Sequence, residues 1–298
     1  MFGKKRAAEG GEGGEGSTPQ EGGERRAGVG FEVVASVQTD KGCVREINED
    51  SGRYLRPSDP AQLGARGSLL IVADGMGGHS AGEVASQLAV ETVSRVYYEA
   101  QGSPQEALRL AVEEANRRIH SAAAEDPSKH GMGTTCTALA LRGDQALGAH
   151  VGDSRLYMLR AGQLYQLSED HSAVMEMVKL GLISKEQART HEDKNVILRA
   201  LGTNPEVEVS VIEPFGVREG DRYLLCSDGL YDLVRDEEIA AVLTEAEDVH
   251  AAGERLIVLA KERGGHDNIT VGILAIMPEG ASAAEAEDVP ETRELEAI

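Results

Sequence analysis

Apolar residues gather in short runs rich in Val, Leu and Ile along the middle of the chain: FEVVASVQT (31–39), SLLIVAD (68–74), TTCTALAL (134–141), QALGAHVGD (145–153), SRLYMLRAGQLYQL (154–167), VEVSVIE (207–213), DRYLLCSD (221–228) and NITVGILAIM (268–277). Their length, their β-branched content and the turn residues that bound them predict strands. Arg160, Ala161 and Gly162 sit where a hairpin would reverse, so part of the sheet is expected to be antiparallel. Two stretches follow the helical period instead: Ala85, Leu88, Ala89, Thr92 and Val96 share one face, as do Leu108, Ala111, Val112, Ala115 and Ile119 after a Ser103-Pro104 start signal. A third helix is expected over residues 248–263. Strands in number with helices grouped, not strictly alternating, predict an α+β fold.

Composition bounds this picture. Residues 1–30 are dominated by Gly and Glu and residues 278–298 by Ala and Glu, so both are expected to be disordered tails around a single domain spanning 31–277. No window approaches the run of about 18 apolar residues that a membrane span requires, and the N-terminus has no secretory apolar core. A cytoplasmic protein without membrane attachment is the expectation. Cys43, Cys136 and Cys226 are odd in number and far apart, which fits neither a disulfide framework nor a zinc pattern. The formal charge of −21 excludes a nucleic-acid binder, which needs a basic stripe for phosphates.

Much of that acidity is organised. REINED (45–50), ADGMGG (73–78), VGDSR (151–155), CSDG (226–229) and GHDN (265–268) place carboxylates at strand ends or turns. Singly, each is ordinary turn or cap chemistry. Together, Asp74, Asp153 and Asp228 close apolar runs and Asp267 opens one, so sheet formation could gather them at one edge. Clustered carboxylates repel, and cations stabilise such a cluster. Oxygen ligands without Cys or paired His at ligand spacing suit magnesium or manganese. The glycines after Asp74 clear side chains from a place where a carbonyl could face a metal and a phosphate could approach, though a tight strand-to-helix turn also explains Gly77 and Gly78. Arg45 offers a planar fork for phosphoryl oxygens, or a plain intradomain ion pair. Carboxylate-held metals, an activated water and an arginine together serve phosphoester hydrolysis.

The ordered series REINED, VADGMGG, GMGTT, VGDSR, LSEDHS, CSDG and GHDNIT resembles the metal-dependent serine/threonine protein phosphatases of the type 2C class in their compact bacterial form, over residues 31–277. The resemblance implies a central sandwich of two antiparallel β-sheets flanked by helices, four layers in αββα order, with two divalent ions (Mn or Mg) at one end and a third nearby. Asp74 would bridge the pair; Asp228 and Asp267 would complete one shell, Glu49 and the Gly75 carbonyl the other, and Asp50 would hold a metal-ligated water. Arg45 would bind phosphate, Asp153 would help hold the third ion, and Asn268 would support the ligands. The implied reaction is hydrolysis of phosphoserine and phosphothreonine by attack of a metal-bridging water, in a monomer that acts on phosphoproteins and opposes a bacterial Ser/Thr kinase. Two features depart from the wider class. Met76 stands where animal members carry a proton-donating histidine, so a metal-ligated water is expected to serve instead, with His79 a candidate by proximity or else a turn cap, and residues 171–195 match a variable flap. A catalytically weak regulatory binding module of the same fold is the alternative; a two-metal nuclease is opposed by the charge.

Overall fold

In chain order, the described residues of the computed structural model, 31–77 and 81–279, form β1 (Phe31–Asp40), β2 (Asp50–Leu55), α1 (Pro60–Arg66), β3 (Ser68–Met76), α2 (Ala81–Glu99), α3 (Pro104–Glu125), β4 (Gly133–Thr134), β5 (Cys136–Arg142), β6 (Gln145–Val151), β7 (Arg155–Arg160) and β8 (Gln163–Gln166). The second half adds α4 (Ala173–Lys179), α5 (Lys185–Arg189), β9 (Ser210–Gly216), β10 (Arg222–Cys226), α6 (Asp228–Tyr231), α7 (Asp236–Glu245), α8 (Val249–Glu262) and β11 (Ile269–Pro278). One sheet runs β1-β11-β10-β7-β8; the other runs β2-β3-β5-β6-β9, with β4 paired to β3. Every pairing between these strands is antiparallel.

The unbroken apolar runs follow from the layering, because strands covered on both faces have no solvent side on which to place polar residues. Along β3, Leu69, Ile71 and Ala73 join the helical layer of α2 and α3, while Leu70 and Val72 meet Tyr223, Leu225 and Leu274 of the opposite sheet. Along β11, Val271 and Ile273 pack with Leu256 and Ile257 of α8. These three layers of apolar contact make the αββα sandwich. Each fully buried Leu or Ile contributes about 1.5–3 kcal/mol, so the sheets are held chiefly by this stacking. Local signals agree with it. Ser103 accepts from the Glu106 amide at 3.2 Å while the Glu106 carboxylate accepts from the Ser103 amide at 2.9 Å, a reciprocal cap that starts α3. Asp248 caps α8 through the Ala251 amide. Ala161 (φ 51°) and Gly162 (φ 78°) form a two-residue turn between paired Arg160 and Gln163, the handedness that matches strand twist.

Some boundaries differ from expectation. β2 was absent from the periodic reading, since Asp50-Ser51-Gly52 reads as a turn; it is a strand because it pairs along β3 and Gly52 lies against Val37, where a Cβ would come within 2.8 Å of Cγ1. β9 begins at Ser210, three residues into VEVSVIE, and Val207 and Val209 pack on the α2–α3 layer without joining the sheet. β11 continues to Pro278, opposite Phe31. Of the expected tails, residues 1–30 and 280–298 lie outside the described residues, as does His79, while Pro278 and Glu279, expected in the C-terminal tail, are described. Among the described residues no helix is long and apolar enough to cross a membrane.

Candidate metal centre

The register delivers the acids to one end of the sandwich. Asp50 opens β2 directly opposite Asp74 near the end of β3. Asp228 starts α6 just after β10, and Asp267 immediately precedes Asn268 and β11, whose Val271 pairs with Cys226 at the end of β10. Asp153 follows β6 at the same end. A buried hydrogen bond joins the two sheets here: the Ser227 hydroxyl donates to Asp50 Oδ2 at 2.7 Å, and Ser227 Oγ accepts from the Thr270 amide at 2.9 Å.

Backbone and hydroxyl groups fix each member. The Asp74 amide donates to Thr135 Oγ1 at 2.9 Å, its carbonyl accepts from the Thr135 amide and the Thr134 hydroxyl, and Thr135 Oγ1 pairs with Ser154 Oγ at 2.7 Å. Asn268, almost fully buried, accepts from the Glu49 amide at 2.8 Å and donates to the carbonyls of Lys41 and Ile47, each at 3.0 Å. Gly75 and Gly82 meet over Glu49: a Cβ on Gly75 would lie 2.2 Å from the Gly82 carbonyl oxygen and 2.4 Å from that of Glu49, and one on Gly82 would lie 2.4 Å from Glu49 Oε1. Only backbone fits between β3 and the first turn of α2. The sequence assigns no role to the hydroxyls of Thr134, Thr135, Ser154 and Ser227, although Ser154 and Ser227 lie inside acid motifs and the two threonines close GMGTT.

The electrostatics are those of crowded like charges. Burial first, and then the charges of Asp50, Asp228, Asp153 and Asp267, hold Asp74 well above the usual carboxylate range. Asp228 is raised well above that range by burial and by Asp153, Asp267, Asp232 and Asp50. Burial raises Asp50 to about 6 against the lowering bonds from Ser227 and Thr270, and burial with the Asp170 charge raises Asp153 to about 7. Two buried carboxylate oxygens, Glu49 Oε1 and Asp228 Oδ1, have no hydrogen-bond partner. Buried acceptors left bare beside mutually repelling acids fit a cation, and the oxygen-only donor set fits magnesium or manganese. Among the described residues no group of three or more His, Cys, Asp and Glu side chains is arranged to hold a metal ion by itself; hard cations of this kind draw the rest of their shell from water and carbonyls.

For Arg45 the sequence allows a phosphate fork or an ion pair. Arg45 does form an ion pair, Nη2 to Asp267 Oδ2 at 2.7 Å, yet its side chain stays 47 % exposed at the rim. Arg155, which could have bridged locally to Asp153, is used elsewhere: it clasps Asp170 at 2.7 Å, donates to the Tyr157 hydroxyl and lies 3.7 Å over the Tyr231 ring. Met76 closes β3 beside this centre and pairs with Gly133. His171, the first residue of the expected flap, belongs to the scaffold: Nδ1 accepts from the Gly152 amide at 3.1 Å and Nε2 faces Ser210 Oγ at 2.9 Å. The rest of that segment carries α4 and α5, and Lys194–Asp232 and Arg189–Tyr231 carbonyl contacts tie it to α6. Between them a cavity of about 200 Å³ reaches Asp153 and Asp228.

The same charges give a pH dependence of stability in metal-free protein. Acids whose folded pKa is raised bind more protons folded than unfolded, so stability rises as pH falls through about 7 for Asp153 and about 6 for Asp50, until the unfolded carboxylates also protonate near pH ~4. His150 and His171 oppose this. Burial lowers both to about 4, so each loses stability as pH falls below ~6.5. The raised acids outnumber them, and the melting temperature in chelator is expected to rise by roughly 5 °C between pH 7.5 and 5.5. A fall over that interval, measured by thermal denaturation, would show that the acids do not repel as described.

A model of the family described as protein phosphatase 2C matches residues 49–262. The chain belongs to this family. Among its relatives, the serine/threonine phosphatase stp of Listeria welshimeri is 39 % identical over 258 residues, covering 84 % of this chain and 99 % of the relative. The crystal structure of the Mycobacterium tuberculosis serine/threonine phosphatase PstP/Ppp superimposes with a TM-score of 0.73 at 40 % identity, over 82 % of this chain and 99 % of that one. A second PstP structure, of the catalytic domain in complex with two manganese ions, gives a TM-score of 0.72 at 40 % identity, covering 83 % of this chain and 99 % of the other. The sandwich and its antiparallel sheets are thus those of the family.

Proposed function

We propose that the chain is a metal-dependent protein serine/threonine phosphatase that hydrolyses phosphoserine and phosphothreonine in proteins. The observation that carries this is the cluster of five aspartates and Glu49, with two bare buried oxygens, at the rim of which Arg45 stands. Asp74, Asp228 and Asp267 would hold one divalent ion, and Asp74, Glu49 and the Gly75 carbonyl a second; Asp153 with Asp228 would take a third. Bound there, the ions would acidify a water nucleophile and neutralise charge on the phosphoryl group. Asp50, tethered by Ser227, orients solvent between the sheets. Asn268 and Thr135 hold Glu49 and Asp74 at fixed separations, which is the preorganisation that phosphoryl transfer requires. Met76 has no exchangeable proton, so the leaving alkoxide takes its proton from solvent ordered by the acids.

Arg45 supplies phosphate binding. Its bond to Asp267 uses one N–H, and with the side chain 47 % exposed the rest of the fork is accessible to phosphoryl oxygens. Arg45→Ala is expected to raise KM for a phosphothreonine peptide roughly thirtyfold, about 2 kcal/mol of charge-assisted hydrogen bonding, with a smaller effect on kcat. An unaltered KM would reduce Arg45 to its pairing with Asp267. The physiological setting we propose is the cytoplasm, where a monomeric enzyme reverses the work of a bacterial Ser/Thr kinase; the serine/threonine phosphatase names of bacterial relatives support the reaction. Phosphate release from a phosphothreonine peptide compared with p-nitrophenol release from bis-p-nitrophenyl phosphate, each with manganese, tests the assignment: the peptide should be turned over far faster, and a reversed preference would indicate a diesterase.

A further inference from the structure

The loop between β1 and β2 carries Arg45 between two aliphatic side chains that face solvent: Val44 is 67 % exposed and Ile47 41 %. Isolated exposed aliphatics are ordinary on a protein surface. These two bracket a guanidinium on a loop that is fastened at many points. Asn268 donates to the carbonyls of Lys41 and Ile47. The Cys43 amide donates to the Gly265 carbonyl at 2.7 Å and the Gly42 amide to Asp40 Oδ1 at 2.8 Å. Gly42, at φ 76°, lies so close to the segment before β11 that a Cβ would stand 2.2 Å from the Asp267 carbonyl oxygen. The loop cannot fold its aliphatic side chains inward without breaking these contacts, so Val44 and Ile47 are held out in fixed positions.

Resting on the phosphatase reading, we propose that Val44 and Ile47 form an apolar subsite that selects phosphoproteins with a bulky aliphatic residue within two positions of the phosphorylated one. The occupant follows from continuity with the phosphate site. A peptide whose phosphate engages Arg45 runs on at about 3.3–3.6 Å per residue, which brings its next side chains over the loop on either side of the guanidinium. Apolar contact there removes water from both partners, and a loop already fixed loses little entropy on binding. Glu46, between Arg45 and Ile47, adds a negative charge to the same surface, so an aliphatic neighbour is favoured over an acidic one.

The test compares phosphothreonine peptides with Val or Leu at the flanking positions against peptides with Ser or Glu there, using the full chain with manganese. The reading is the ratio of kcat/KM between the two peptide sets within each protein, so any general change in activity cancels. The wild type is expected to favour the aliphatic set about tenfold, the effect of one partly buried aliphatic contact, through KM. Val44→Ser combined with Ile47→Ser is expected to bring the ratio close to one. Equal turnover of both sets by the wild type, or a ratio the double variant retains, would overturn the subsite while leaving the phosphatase standing. Lack of turnover on every phosphopeptide, with p-nitrophenyl phosphate as a further check, would overturn the phosphatase reading and the subsite together.

Discussion

Asp74→Asn is expected to lose phosphopeptide turnover by about a thousandfold or more, some 4 kcal/mol of transition-state stabilisation, while the metal-free protein becomes more stable than wild type. The two effects have one origin. Asp74 faces Asp50 across the β2–β3 pair and feels Asp228, Asp153 and Asp267 as well, so its charge is unfavourable to the fold unless a cation offsets it. Asparagine keeps the shape and the backbone bonds to Thr134 and Thr135 but removes that charge. Kinetics on a phosphothreonine peptide and thermal melts with and without manganese separate the roles. Manganese should raise the melting temperature of wild type and raise that of the variant far less. Near-normal turnover, or an equal metal-induced shift in both proteins, would deny Asp74 its bridging place.

Gly75→Ala should be nearly as damaging for a steric reason. The new methyl would stand 2.2 Å from the Gly82 carbonyl oxygen, 2.4 Å from that of Glu49 and 2.5 Å from the Gly82 carbonyl carbon. All three are backbone atoms in paired or helical segments, so no side-chain rotation relieves the clash. β3 and the start of α2 must separate, at a cost of about 3 kcal/mol or more, and Glu49 and the Gly75 carbonyl then move apart. Activity should fall at least about a hundredfold, and the chemical-denaturation midpoint should drop with it. A variant that kept its midpoint would mean the three segments approach less closely than the structure has them.

The acids were legible in the sequence because they punctuate apolar runs: Asp74 and Asp153 end theirs, Asp228 follows DRYLLCS, and Asp267 precedes NITVGILAIM. Any fold that sets those runs side by side brings the acids to one end. The hairpin at Ala161-Gly162 and the α3 start at Ser103-Pro104 were legible for the same local reason, since turn and cap chemistry is written in adjacent residues. β2 was not, because its strand character comes from pairing with β3 and not from its own Asp-Ser-Gly. α7 was hidden as well: its acidic first turn masks Ile239, Val242 and Leu243, which packing against α8 and the β8 end of the sheet explains. The supporting partners of the site are long-range contacts, Ser227 to Asp50 and Asn268 to Lys41 and Ile47, and no local pattern encodes them. His171, at the start of the 171–195 segment, is held in the same long-range way, its ring fixed by Gly152 and by Ser210 far along the chain.

The most direct test is phosphate release from a phosphothreonine peptide by enzyme stripped exhaustively of divalent ions, followed by titration with manganese. Oxygen ligands and water-rich shells release such ions readily to a chelator. The stripped protein should show no turnover above background, and manganese or magnesium should restore it in the same sample. Undiminished hydrolysis after complete stripping would contradict the account of the acid cluster as a metal centre.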